Sequence, residues 1–226
     1  GNLKVQIQSM SRNRIAILSF LILLVLGTVL YLFFNHSSSE VIPGAEAFHG
    51  SALEETLVNY GEDVLEYAED FDLSYEYLMA LIVLETSGKI PSGSRFEQGV
   101  YNRLVKVKSG DRKRYENVKL HHLEDASDDA IKNLATSWGP FQLMGYKCIG
   151  LEVNVSDIRG EDGLYHGVLW INYEYGKFIR KGDFKDAFHY HNAGRKYPLV
   201  GKPKTHDPRY VEKGLSYMEY FRQNKP

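Results

Sequence analysis

Two apolar runs stand out along the chain, and they differ in length. The first, residues 15–34, holds no charged side chain. A helix of about 20 such residues rises about 30 Å, enough to cross a bilayer. The second, residues 77–84, is shorter, places apolar side chains on every face of a helix, and is followed at once by Glu85. We expect a membrane span from the first run and a buried helix from the second.

Charges beside the first run predict its orientation. Three basic residues precede it: Lys4, Arg12 and Arg14. The polar stretch 35–40 after it has no Lys or Arg, so the positive-inside rule predicts a cytoplasmic tail over 1–14. Residues 15–34 would then be a single-pass signal anchor in the inner (cytoplasmic) membrane, with the rest in the periplasm or cell-wall space. A cleaved signal peptide is the alternative, but its apolar region would be unusually long, and the small-residue site at 45–47 lies too far downstream.

The polar stretch 35–47 predicts a linker, and 48–226 is long enough for one globular domain. Apolar spacing and capping residues predict mainly helices. We expect these over 52–71, 74–85, 128–134, 163–180, 183–191 and 207–221. Residues 92–110 alternate loosely between polar and apolar, which favours strand or irregular structure. The predicted class is therefore mainly α, of the α+β kind with a small extended lobe.

The charge, cysteine and histidine content of the chain limits the kinds of site it can form. The net charge is −2, and no basic stripe appears, which argues against nucleic acid as a partner. The single cysteine, Cys148, excludes an internal disulfide and cysteine-based zinc sites, and predicts a small buried side chain. His189 and His191 are two residues apart and point apart on a helix, so we predict no metal site there. No cofactor is predicted.

Glu85 is the most informative residue. A carboxyl group at the last turn of a buried helix is costly unless it is hydrogen-bonded or protonated. Burial and the negative end of the helix dipole both favour the protonated acid. Such an acid suits general acid catalysis on a sugar–sugar bond. A buried Glu that pairs with an Arg or caps the backbone is the structural alternative.

Three further segments share the domain with Glu85. Residues 136–144 place Gly139 three positions before Gln142, whose amide can both donate and accept to a sugar; a plain turn and core segment is the alternative. Residues 188–194 end a helix at a glycine, where Asn192 could simply close its own backbone. Residues 207–211, with an Asp-Pro start, open the last helix.

In this order the four segments resemble the superfamily of soluble lytic transglycosylases and goose-type lysozymes, which cleave peptidoglycan. The matching positions are Glu85-Thr86, then Gly139, Gln142 and Met144, then His191-Asn192-Ala193-Gly194, then Tyr210-Val211. The sequences of segments 94–97 and 137–145 are similar to those of phage-type N-acetylmuramidase domains of the same superfamily. The resemblance covers roughly 74–217 and nothing of the anchor.

The resemblance implies a lysozyme-like fold and a lone catalytic Glu85 that cleaves the MurNAc–GlcNAc β-1,4 bond as acid and then base. Peptidoglycan glycan strands would be the substrate. The positions it implies for substrate binding are Ser137, Gly139, Gln142, Met144, Tyr190, His191, Asn192 and Tyr210. Tyr190 and Tyr197 offer stacking faces for sugar rings. Wall remodelling, an envelope-spanning machine and a virion are all compatible settings.

The chain departs from the family pattern at two points. The family has Ser after the catalytic Glu, where this chain has Thr86, and a Tyr where His191 falls. A His there can hydrogen-bond Glu85 and titrates near neutrality, which predicts pH-sensitive activity. A hydrolase also needs a second carboxylate to hold water, and Glu97 is the candidate, with a plain surface Glu as the alternative. A catalytically inactive, glycan-binding module that anchors a membrane assembly to the wall is the other functional hypothesis.

Overall fold

The computed structural model describes residues 51–226. The predicted tail 1–14, signal anchor 15–34 and linker 35–47 lie outside the described residues, as do the first residues of the predicted domain 48–226. Within 51–226, which belong to one compact unit, no helix is both long and apolar enough to cross a membrane.

The described part is mainly helical, as predicted. Its α-helices, numbered in chain order, are α1 Ser51–Asp70, α2 Tyr75–Thr86, α3 Gln98–Lys108, α4 Asp128–Leu134, α5 Cys148–Leu151, α6 Val155–Arg159, α7 Gly163–Arg180, α8 Phe184–Ala193 and α9 Tyr210–Gln223. Two short 3-10 turns, Leu120–His122 and Gly145–Lys147, connect them. The structure thus confirms the main predicted helices, with ends that differ by up to three residues.

Five short strands form the extended lobe. They are β1 Ser94–Phe96, β2 Arg114–Tyr115, β3 Val118–Lys119, β4 Thr136–Trp138 and β5 Leu143–Met144. β1, β4 and β5 make one antiparallel sheet in that order, and β2 and β3 form a separate hairpin. In the larger sheet Arg95 faces Ser137, which in turn faces Met144. This lobe carries the Gln142 segment.

The prediction for 92–110 was wrong over most of its length. Only Ser94–Phe96 is strand, and Gln98–Lys108 is a helix. Leu104 and Val107 are fully buried, and Val100 packs against the same core. Their spacing of four and three residues is that of one helix face. The β-branched valines in this stretch favoured strand, but tertiary packing of the helical face decides the conformation.

Helix α2 is the centre of the core. Ser74 caps it by accepting a hydrogen bond from the backbone N–H of Tyr77, and the side chains from Tyr77 to Ile82 are wholly buried. The helix packs most extensively against α9 and α1. Because apolar neighbours surround it, its residues need no polar face. The predicted buried helix is confirmed, and it delivers Glu85 at its last turn.

The loop after α2 is fixed to α1. Ser87 ends the helix in the left-handed conformation, and Gly88 follows with φ of +75°. A Cβ on Gly88 would lie 2.2 Å from Thr56 Oγ1, so the site requires glycine for space as well as for backbone angle. Asn59 Nδ2 donates to the Gly88 carbonyl at 2.8 Å. The segment beside Glu85 is therefore rigidly placed.

Candidate functional site

Glu85 lies at the end of α2 with its side chain only 16% exposed. The Tyr210 hydroxyl, from the first residue of α9, donates a hydrogen bond to Glu85 Oε1. Burial, and then the charge of Glu85, raise the pKa of Tyr210 well above its ordinary value, so the hydroxyl keeps its proton and remains a donor. The carboxyl group therefore points into the protein, beside a residue of the predicted fourth segment.

His191 lies on the same side of Glu85. Its Nε2 is 3.7 Å from Glu85 Oε1 and 3.2 Å from the Phe141 carbonyl oxygen. Its Nδ1 is 2.7 Å from the Tyr175 hydroxyl. Since a carbonyl can only accept, we assign the ring proton to Nε2, and Nδ1 then accepts from Tyr175. The N–H of His191 thus donates to the Phe141 carbonyl, and Glu85 Oε1 lies slightly farther from Nε2.

A second buried tyrosine extends this chain of hydrogen bonds. The Tyr77 hydroxyl donates to the Tyr175 hydroxyl at 3.4 Å, and both side chains are completely buried. Burial raises the pKa of each phenol above its ordinary value. Every donor in the series from Tyr77 through Tyr175 to His191 therefore points the same way, and the series fixes the tautomer of the imidazole.

The expectation that His191 titrates near neutrality is corrected. Its side chain is 7% exposed. Burial lowers the pKa of His191 below its ordinary value, although the neighbouring Glu85 opposes this shift. Desolvation penalises the charged imidazolium more than the nearby carboxyl group stabilises it. The imidazole is therefore neutral at neutral pH.

The segment with Gly139 and Gln142 forms the β4–β5 hairpin turn. Gly139 has φ of +72°, and the Gln142 N–H donates to its carbonyl at 3.0 Å. The Gln142 amide is used within the hairpin: Oε1 accepts from the buried Ser137 hydroxyl at 2.8 Å, and Nε2 donates to the Gly139 carbonyl at 3.1 Å. Met144, half-buried, pairs with Ser137 in the sheet. Ser137 and Gln142 thus shape the turn in this structure, as the plain-turn alternative expected.

The hairpin turn nevertheless reaches the carboxyl group. Phe141 lies between Gly139 and Gln142; its ring is buried against Gly167 of α7, and its carbonyl accepts from His191. Contacts thus run from the turn through His191 to Glu85, and from Glu85 to Tyr210. Tyr210 and His191 thus lie beside the Glu85 carboxyl group, and the hairpin turn is linked to it through His191.

Two other predicted substrate contacts have structural partners. Asn192 is exposed, and its Oδ1 accepts from the His206 N–H at 3.0 Å in the loop before α9. It therefore holds that loop rather than its own helix end, which Gly194 closes in the left-handed conformation. The Tyr190 ring packs on Tyr175 and on Phe178 of α7, as a core tyrosine does.

Glu97 lies just after β1, at the start of α3. Its carboxylate forms an ion pair with Arg95 Nε at 2.7 Å, and its side chain is 36% exposed. The partner Arg95 is 74% exposed, so the pair is a surface ion pair of the kind that adds little stability. The position agrees with the surface alternative, and Glu97 stays a hypothesis as a second carboxylate.

A cleft adjoins the other end of the hairpin turn. It has a volume of about 570 Å³ and runs past Gly139 and Pro140 between α1 and the start of α7. The half-buried Trp138 lines it, with Arg159 stacked 5.4 Å above the indole ring. Tyr60 and Tyr67 of α1 lie on the opposite wall. Aromatic walls with a few polar groups are typical of saccharide-sized sites.

Sequence reasoning missed Tyr175, Tyr77 and the Phe141 carbonyl. Tyrosine is abundant here, with 16 in the chain, so its residue type alone gave no signal for a site role. The available signal was that Tyr77 and Tyr175 place a hydroxyl group on the buried face of a predicted helix. A buried hydroxyl needs a hydrogen-bond partner, so each of them indicated a polar contact inside the core. A backbone carbonyl leaves no trace in the sequence.

The ring nitrogens of His189 and His191 have hydrogen-bonding neighbours: Arg195 and Lys204 for His189, and Tyr175 and Phe141 for His191. Across 51–226, no group of three or more His, Cys, Asp or Glu side chains could hold a metal ion. Cys148 is a free, buried thiol whose pKa burial raises to about 11, as the sequence predicted for a small buried side chain.

No protein-family model matches the chain, and no match was found among the curated proteins or the solved structures. What the site can do must therefore be judged from its own geometry. It has a nearly buried carboxyl group that accepts a hydrogen bond from Tyr210 and lies 3.7 Å from His191, and the aromatic cleft lies along the hairpin turn that His191 contacts.

Proposed function

We propose that this chain is a membrane-anchored peptidoglycan-cleaving enzyme with a lysozyme-like fold, and that Glu85 is its catalytic acid and base. The observation that carries the proposal is the set of contacts around the Glu85 carboxyl group, which accepts from Tyr210 and has His191 Nε2 3.7 Å away. A structural Glu needs one partner, whereas this one has neighbours from two helices and, through His191, is linked to a hairpin turn. A nearly buried carboxyl group with polar partners from several elements is a candidate for a functional site.

The two carboxyl oxygens would have different tasks. Tyr210 donates to Oε1, and the N–H of His191 lies nearest the same atom. A protonated Glu85 then carries its proton on Oε2, since Oε1 is already accepting. Oε2 would give that proton to the glycosidic oxygen between MurNAc and GlcNAc as the bond breaks. Tyr210 and His191 would stabilise the carboxylate left behind.

The second half of the reaction decides the product. Glu85, now a carboxylate, takes a proton either from the 6-hydroxyl of the same sugar, which closes a 1,6-anhydro ring, or from a water, which hydrolyses the bond. The hydrolytic route needs a group that holds the water. Glu97 would have to release Arg95 or share it to do so, and the anhydro route needs no second carboxylate.

The substrate would bind along the cleft past the hairpin turn. Trp138 and Tyr67, both only partly buried, offer faces for sugar rings there. Gly139 and Gln142 would act by shaping the turn, and Asn192 by holding the following loop. The predicted anchor at 15–34 would confine cutting to the wall next to the inner membrane, in the periplasm or cell-wall space.

Digestion of purified peptidoglycan by the full chain in detergent micelles tests the proposal. Wild type should release muropeptides, and Glu85→Gln, which keeps the shape and accepts the Tyr210 hydrogen bond, should lose about 10²–10⁴-fold of the rate. Glu97→Gln is the matching variant at the second candidate carboxylate, and it tests whether the hydrolytic route uses Glu97. Mass spectrometry separates anhydro from hydrolysed ends, which differ by one water. If neither protein releases fragments but both sediment with the wall, the glycan-binding module is the better description.

A further inference from the structure

Two aliphatic side chains stand in water at the tip of the loop between α8 and α9. Leu199 is 103% exposed and Val200 is 91% exposed. We call these two residues the apolar tip. Single exposed aliphatic residues are common, but two adjacent and fully exposed ones at the end of a loop are a feature of binding surfaces.

The loop that carries the apolar tip is fastened at its base. The fully buried His189 donates from Nδ1 to the Arg195 carbonyl at 2.7 Å, and its Nε2 accepts from the Lys204 N–H at 2.9 Å. Asn192 holds the loop again at His206. A buried side chain that uses both ring nitrogens on one loop fixes that loop in place, so the tip is presented in a defined position.

Cations flank the apolar tip along the loop. Arg195, Lys202 and Lys204 are exposed on either side of it, and no acidic residue occurs from 195 to 206. Lys196, the fourth cation, is paired with Asp186 at 3.4 Å. An aliphatic tip with exposed cations before and after it in the same loop complements one surface in particular: an anionic bilayer, which offers phosphate groups to the cations and hydrocarbon below them.

A polysaccharide would complement this surface less well. Sugar hydroxyls carry no charge to pair with cations and gain little from contact with aliphatic side chains. Saccharide-binding sites present aromatic faces instead. The wall polymer does carry carboxylates, so it remains the alternative that the experiment must distinguish.

We propose that the apolar tip inserts into the headgroup region of an anionic membrane, with Arg195, Lys202 and Lys204 on the lipid phosphates. The predicted linker 35–47 reaches about 20 Å as a flexible chain, so a domain tethered by the predicted anchor meets the bilayer at high effective concentration, and a weak contact suffices. The docked loop leads directly into Tyr210, so the contact would set the orientation of the Glu85 site above the membrane.

A fluorescent probe at the tip tests this in the full chain. Leu199→Cys is labelled with an environment-sensitive dye, since Cys148 is buried, and the protein is reconstituted into vesicles of phosphatidylcholine alone or mixed with phosphatidylglycerol. We expect a blue-shifted, brighter emission only with phosphatidylglycerol. Val58→Cys, labelled at a site that is 85% exposed on α1, is the control and should not respond.

The charges are tested separately. Each cation near an anionic surface strengthens binding by about fivefold, so Lys202→Gln with Lys204→Gln should weaken the contact by about 25-fold, and added salt should do the same. Amide hydrogen exchange of residues 195–206 in the unlabelled chain measures the contact without a dye, because docking on the membrane should slow the exchange. Equal signals in both vesicles overturn the proposal, and so does a response to purified peptidoglycan alone. Wall cleavage is measured apart, so either idea can fail without the other.

Discussion

The Tyr210 hydroxyl is the most direct support of Glu85, and Tyr210→Phe removes that hydroxyl alone. The ring is buried, with 6% exposure, and phenylalanine keeps its volume and its place against α2. What is lost is one hydrogen bond to Oε1 of Glu85. The change therefore separates support of the carboxyl group from packing.

The size of the effect follows from the kind of hydrogen bond. A bond to a charged group contributes about 1.5–3 kcal/mol. If the bond is fully formed only when Glu85 has given up its proton, that energy is lost from the transition state, and kcat falls by about 10- to 150-fold. Loss of stability should be smaller, about 1 kcal/mol, which lowers Tm by about 2–4 °C in a domain of this size.

Muropeptide release at saturating peptidoglycan measures the first quantity, and thermal unfolding the second. Tyr217→Phe is the matched control: it removes a hydroxyl from a half-buried tyrosine on the same helix, whose pKa burial also raises. Tyr217→Phe should keep the wild-type rate. Equal rates for Tyr210→Phe, Tyr217→Phe and wild type would refute the role given to the Tyr210 hydroxyl.

Three further predictions concern the surroundings of Glu85. Tyr175→Phe leaves Nδ1 of His191 without its donor, so we expect a shifted Nδ1 resonance by nitrogen NMR and a several-fold lower rate; an unchanged Nδ1 resonance would contradict the assigned hydrogen-bond direction. Because burial lowers the pKa of His191, the unfolded chain binds a proton first, and stability should fall as pH drops below about 6.5. His191→Gln should show a smaller loss of Tm between about pH 7.5 and pH 5.5, and an equal loss would place the titration elsewhere. Gly88→Ala should cost about 2–4 kcal/mol through overlap with Thr56 and a positive φ, whereas Gly182→Ala, with the same φ and open space, should cost only about 1 kcal/mol by calorimetry.

Much of the fold was predictable because its strongest signals are local. The run 77–84 has no charged or strongly polar residue to face water, so a helix there is stable only when it is buried on all sides. The helices Asp128–Leu134 and Gly163–Arg180 begin and end where capping and periodicity place them. The helix Gln98–Lys108 was missed because its valines favour strand locally, and only its burial against the domain selects the helix.

The site was predictable in its parts but not in its connections. Residue type and position brought out Glu85, the family resemblance added His191 and Tyr210, and the structure brings these three together. The sequence could not show that the Gln142 amide turns back onto Ser137, because that choice depends on the register of the β4–β5 hairpin. Nor could it show that Tyr175, 90 residues after Glu85 in the numbering, fixes the ring of His191.

The nature of the partners bears on which reading of Glu85 is correct. A structural Glu at a buried position is usually balanced by Arg or Lys, and such a cation holds it ionised. Glu85 faces a phenol and an imidazole that burial keeps neutral. Neutral donors can stabilise the carboxylate without forbidding the acid. A catalytic group that gives a proton and then takes one back must be able to exist in both forms. The neutral neighbours of Glu85 therefore support the proposed catalytic role over a structural one.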